Sequence, residues 1–187
     1  MRRLALFPLL VAACGRQAPP AADSAAQADA AFAAVQTRGA AVMGVDQTTS
    51  THVFEDLSDG GRIVYTANAP TDTTAIRTIR THLRDIAVAF AAGDFSQPAA
   101  VHGRPVPGTE VMAAKRAAIR YTPTDRPDGA ELRIATSDAA ALAAVRDFLQ
   151  FQRDDHRAAG HEGHAGAMDH AAHMRTMDAR TAGEKQP

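Results

Sequence analysis

The side chains best suited to hold an ion crowd into one end of this 187-residue chain. Five of the eight histidines, His156, His161, His164, His170 and His173, and three of the six methionines, Met168, Met174 and Met177, fall between positions 156 and 187. This stretch has almost no large aliphatic residue, and its glycines and alanines supply neither a core nor a fixed shape, so packing does not explain it. Ligation does. The pairs His161-x-x-His164 and His170-x-x-His173 place imidazoles close enough to share one ion, and a pliable backbone can wrap to complete the coordination. Imidazole suits Cu(II), zinc and nickel, whereas thioether sulfur favours Cu(I). The mixture points to copper, with zinc and nickel as alternatives. The expected ligands are His161, His164, Met168, His170, His173, Met174 and Met177.

The string Met168-Asp169-His170-Ala171-Ala172-His173-Met174 resembles the Met-Asp-His segments of bacterial periplasmic copper-resistance proteins. That resemblance implies a segment that holds copper or passes it on. It spans a single repeat and carries no fold.

The other three histidines, together with His156, sit in the segments expected to fold. His52 lies in a strand, His82 is beside Leu83 near the apolar face of a helix, His102 is in a long connection, and His156 extends an apolar stripe at a helix end. A second, ordered metal site built from some of these four is one reading, although spacing does not show that they meet. The commoner outcome is a structural histidine whose nitrogens find partners, and His156 also gains from a positive charge at a helix C-terminus. A third reading, a small hydrolase or transferase with His52, His82 or His102 as base, requires the rings to converge on a pocket with a carboxylate beside one of them.

An enzyme is the less favoured class. The chain has no Gly-x-Ser-x-Gly elbow, phosphate-cradling loop or dinucleotide fingerprint. His161-Glu162-Gly163-His164 is one residue short of the zinc-protease motif, whose histidines must share a helical face.

The beginning of the chain reads as an address. Arg2 and Arg3 precede a short apolar run at 4–13, as in a secretion signal, and that run is too short for a membrane span of roughly 20 residues. Val11-Ala12-Ala13-Cys14 resembles a bacterial lipobox, and Cys14 is the chain's only cysteine, so an internal disulfide is excluded and acylation accounts for it. The lipoprotein resemblance implies a membrane anchor at Cys14. With Gly15 rather than Asp next, it implies the outer membrane, facing the periplasm. Formal charge is −1 and no basic block stands out, which disfavours nucleic acid as a partner.

Alanine supplies 43 residues, leaving enough larger apolar side chains for one modest core. The expected organisation is a signal peptide at 1–13, a lipidated tether at 14–47 carrying a loosely docked or disordered alanine-rich helix from Ser24 to about Gln36, a core domain at 48–157 and a disordered His/Met-rich tail at 158–187. Strand formers flank Ser58-Asp59-Gly60-Gly61, which predicts a hairpin, and Ile76, Ile79, Leu83, Ile86 and Phe90 stripe a helix capped by Thr71 or Asp72 and closed by Gly93. The order then recurs, with a turn at Pro127-Asp128-Gly129 and a helix capped by Ser137 or Asp138. Matching the halves sets Ile63 on Leu132 and His82 on Phe148. The fold class is α+β, two ββα units forming a four-stranded antiparallel sheet covered on one face by two helices. The intervening 94–108 segment, with three prolines, reads as an unstructured connection.

Thr51-His52-x-Phe54, Asp59-Gly60-Gly61, Ile79-Arg80-x-His82-Leu83 and Phe148-Leu149-x-Phe151-Gln152 also resemble a group of small exported bacterial proteins. That likeness implies a domain at about 48–157 and no activity. A competing role is protein interaction in the envelope without metal, which predicts an exposed apolar patch on the uncovered sheet face.

Overall fold

A computed structural model describes residues 21–158. In chain order these form α1 (Ala21–Met43), β1 (Ser50–Leu57), β2 (Gly60–Ala67), α2 (Thr73–Ala92), α3 (Ser96–His102), α4 (Thr109–Ala114), a 3-10 turn, β3 (Ile119–Arg126), β4 (Gly129–Thr136) and α5 (Ala139–His156). The architecture is α+β: one antiparallel sheet of order β1-β2-β4-β3 with helices on one face. No helix among the described residues is long and apolar enough to cross a membrane.

Local chemistry explains the elements. Asp72 and Asp138 each accept a hydrogen bond from the backbone N–H three residues on, at Ala75 and Ala141, satisfying an otherwise orphaned donor at the start of α2 and α5. Gly93 ends α2 in a left-handed conformation that costs glycine nothing. Pro123, which has no N–H for a ladder, lies in β3, an edge strand that tolerates it.

The centre of the sheet is the β2–β4 ladder, where Ile63 pairs with Leu132, its own counterpart in the repeat. The ladder therefore maps onto itself by an approximate two-fold rotation between those residues. The backbones come too close there for any side chain at the hairpin glycines. A Cβ on Gly60 would lie 2.1 Å from the Ile134 carbonyl oxygen, and one on Gly129 would lie 2.1 Å from that of Tyr65.

Each helix covers the other unit's hairpin. The α2 helix packs chiefly on β4 and β3, and within the sheet α5 has its largest contact with β1. Arg84 of α2 pairs with Asp125 of β3, and Arg153 of α5 pairs with Asp56 of β1 in the corresponding relation. Arg80 of α2 also donates to the Gly129 carbonyl oxygen at 3.1 Å and to that of Arg126, holding the second hairpin's turn. Tyr65, Phe90, Phe148, Ile79, Leu132 and Leu149 are sealed between these layers. Each such side chain contributes about 1.5–3 kcal/mol by leaving water.

Two expectations change. The 94–108 connection contains α3: Pro98 falls in its first turn, where a missing N–H costs nothing, so proline starts a helix here rather than preventing one. The alanine-rich helix is longer than expected and well docked. It runs to Met43, buries Val35 and Met43, lies on α3 and α5, and donates from Arg38 Nε to the Val101 carbonyl oxygen at 2.7 Å.

The sheet face away from the helices is polar. Glu55, Arg62, Glu131 and Arg126 alternate in sign across all four strands, with Arg126 Nη1 donating to Glu131 at 3.1 Å, and Arg133 bonds Asp59. The apolar patch that an interaction face would need is absent there among the described residues; Val88 and Val111, the exposed large apolar side chains, lie on helices.

Candidate histidine cavity

All four histidines of the folded region line one cavity of about 60 Å³. A buried water needs roughly 10–15 Å³ on the same measure, so the space suits an ion or a very small ligand. The elements that bring them there are unrelated in sequence. Strand alternation puts His52 on the inner face of β1 beside Phe54, and helical periodicity turns His82 inward beside Leu83. His102 is the last residue of α3, and His156 is the last residue of α5. Phe54, Leu83, Ile86, Phe90 and Val101 supply apolar wall, and Met43 of α1 also lines the space. Met43 and His82 in addition line a groove between α1 and α2.

The rings form a chain of contacts. His52 stacks on Tyr65 with centroids 3.7 Å apart, and His156 follows at 5.4 Å from His52. His102 stands nearly perpendicular to His156 at 5.0 Å, and His82 meets Tyr65 edge-on at 6.4 Å. Tyr65 is anchored by its hydroxyl, which is bonded to Gln47 Nε2 at 3.1 Å and Ser50 Oγ at 3.2 Å.

The four imidazoles differ in what their nitrogens do. His102 is fully engaged: Nδ1–H donates to the Asp155 carboxylate, which Arg104 also contacts at 2.8 Å, and Nε2 faces the Gln152 side-chain amide at 3.0 Å. Both ring nitrogens therefore face oxygen acceptors, the Asp155 carboxylate and Gln152 Oε1. The nitrogens of His52, His82 and His156 have no hydrogen-bond partner among the described residues.

Electrostatics keep these three rings uncharged near neutral pH. Burial pushes His52 well below its ordinary value, with His156 and His82 adding repulsion. Burial lowers His82 to about 4 against a weaker opposing pull from Asp85. His156 also falls to about 4, through burial first and His102 second, with Asp155 opposing. Burial acts to raise the Asp155 carboxyl, but its bonds and attraction to His102 and Arg104 outweigh that and hold it below the usual range.

The convergence that spacing left open is therefore present, and a carboxylate stands beside His102. Among the described residues, no three His, Cys, Asp or Glu side chains form a ready-made metal cluster. Cys14 and the seven tail ligands, His161, His164, Met168, His170, His173, Met174 and Met177, lie outside the described residues. Sequence reasoning missed Tyr65, Gln152, Asp155 and Met43. Tyr65 left one trace, an aromatic where its repeat counterpart Ile134 is aliphatic. No family model, curated protein or solved structure matches this chain.

Proposed function

We propose that the protein is a lipid-anchored component of the bacterial cell envelope that binds copper, or a related transition metal such as zinc or nickel, through its His/Met-rich tail, and buffers the ion or hands it on. The anchor is Cys14, and the outer membrane facing the periplasm is the proposed location. The observation that carries the metal reading is the crowding of imidazole and thioether donors into a segment with no packing role. The fold adds support: immediately before that segment begins, α5 delivers His156 into a cavity where it, His52 and His82 are held uncharged near neutral pH. Neutral imidazole is the ligating form.

Competition of the reduced protein against a cuprous chelator tests this reading. A variant with the seven tail donors replaced by serine is expected to lose most of the capacity for the ion. Equal uptake by the two proteins would remove the tail from the account.

A second reading has one specific observation behind it, the carboxylate-bound His102 on a pocket, which acts as a general base only when Nε2 leaves Gln152. The cavity lining holds no Ser, Thr or Cys, so water would be the nucleophile of a small hydrolytic reaction. It predicts cleavage of a small chromogenic ester that His102→Gln abolishes. No turnover by the unaltered protein would discard it.

A further inference from the structure

We infer that the cavity is a second metal site, distinct from the tail, that takes a soft monovalent cation, the cuprous ion, on His52, His82 and His156 with the thioether of Met43. The inference rests on the copper reading only for where the ion comes from.

The free nitrogens are the first argument. These nitrogens are not among the sealed polar atoms that lack a partner, so their lone pairs stay open to an entering ion. The contrast within the cavity is informative: His102 spends both nitrogens on Asp155 and Gln152, whereas the other three imidazoles spend none on the described residues. His102 is therefore placed as a wall and a support for His156, not as a ligand.

Charge then selects the ion. No carboxylate lines the cavity. Asp155 is committed to His102 and Arg104, and Asp85 lines the outer groove. The cost of bringing an ion out of water rises with the square of its charge, so a dication surrounded only by neutral donors is penalised far more than a monocation. Hard cations are excluded a second way, because they require oxygen ligands. Met43 sulfur beside imidazole nitrogen matches the softness of Cu(I).

The rings surround the space, and among the described residues no three of them yet meet at one point. Binding therefore turns His52, His82 and His156 inward. Their nitrogens have no hydrogen bonds to give up, and the small cavity limits the distance. Supply is local too: His161 follows His156 by five residues, a span of at most about 17 Å along the chain.

The test uses the full mature chain, reduced, with the seven tail donors changed to serine so that only the cavity remains. Cu(I) is titrated against a chelator, and Ag(I), a redox-inert stand-in, is titrated with imidazole nitrogen resonances as readout. The expected result is one tightly held equivalent, with ring nitrogens of His52, His82 and His156 shifting and those of His102 shifting little. Because the resonance experiment leaves the core unaltered, it stays decisive even if a core variant fails to fold. Met43→Leu, which keeps the side-chain volume, and His156→Gln are expected to weaken Cu(I) binding by about 10-fold or more, a loss typical even of altered outer-shell groups. No uptake by the tail-serine protein, or shifts confined to His102, would overturn the cavity site. Undiminished uptake relative to the unaltered chain would instead overturn the tail reading and leave the cavity as the sole binder.

Discussion

Tyr65 lies flat against His52, their ring centroids 3.7 Å apart and their planes 19° from parallel. The tyrosine backs the imidazole on one face, and its hydroxyl is held in turn by Gln47 on the segment that joins α1 to β1 and by Ser50, the first residue of β1. Tyr65→Phe keeps the stack and removes those bonds. Unfolding by denaturant should show a loss of about 1–2 kcal/mol. Tyr65→Leu, which also removes the ring, should cost clearly more and should leave the His52 resonances broadened.

Acid should weaken the fold before its carboxylates titrate. His82 and His156 are held down to about 4 from an ordinary 6.5, so on acidification the unfolded chain takes up their protons first. Stability from these rings is complete above about pH 6.5 and is lost as pH falls through the window down to about 4. Each imidazole contributes a slope of at most about 1.4 kcal/mol per pH unit, reduced by the solvent access both rings retain. Denaturation midpoints measured from pH 7.5 to 4.5 should fall steadily, and His82→Gln should flatten the curve. A flat profile for the unaltered protein would show that the rings are not held neutral.

The two related ion pairs should differ sharply in worth. Arg153 is buried, donates to the Phe54 carbonyl oxygen at 3.0 Å and spans to Asp56, whereas the Arg84–Asp125 pair is open to water. Arg153→Met should cost about 3–5 kcal/mol because it strips donors from buried acceptors. Arg84→Met should cost no more than about 1 kcal/mol. Paired denaturation curves give the comparison directly, and equal losses would contradict the burial argument.

Gly60→Ala and Gly129→Ala should each disrupt the central ladder. Either methyl would meet a carbonyl oxygen at 2.1 Å, and the oxygen belongs to a paired strand that has no room to retreat. The expected loss is at least about 3 kcal/mol, in the range reserved for backbone conflicts. Gly103→Ala, whose nearest neighbour is the end of the Arg38 side chain at 3.4 Å rather than backbone, should be milder and limited mainly by its positive φ.

Much of this fold was legible in the residue order. Both hairpin turns, the α2 stripe and the capping aspartates follow from periodicity and side-chain chemistry that act over a few residues. The α3 helix was not legible, because proline stops or starts a helix according to its position in the turn, and Pro98 falls where it starts one. The docking of α1 was hidden by its alanines, which announce a helix but not a surface; Val35, Arg38 and Met43 decide it. The four histidines could be named individually. Their meeting could not be read, since His102 and His156 reach the cavity from helix ends whose directions depend on the whole packing. Asp155 was masked in the pair Asp154-Asp155, where either carboxylate looks solvated.

Because α2 rests on the second hairpin and α5 on the first, neither half has a roof of its own. As the chain is synthesised, the first ninety or so residues emerge as a sheet edge and a greasy helix with nothing to lean on, and the structure closes only when the last helix arrives. Such a long wait between first and final contacts slows folding and leaves nascent molecules open to capture by chaperones. A ribosome stalled before position 139 should therefore hold a protease-sensitive chain, and one stalled well past 158 a resistant one.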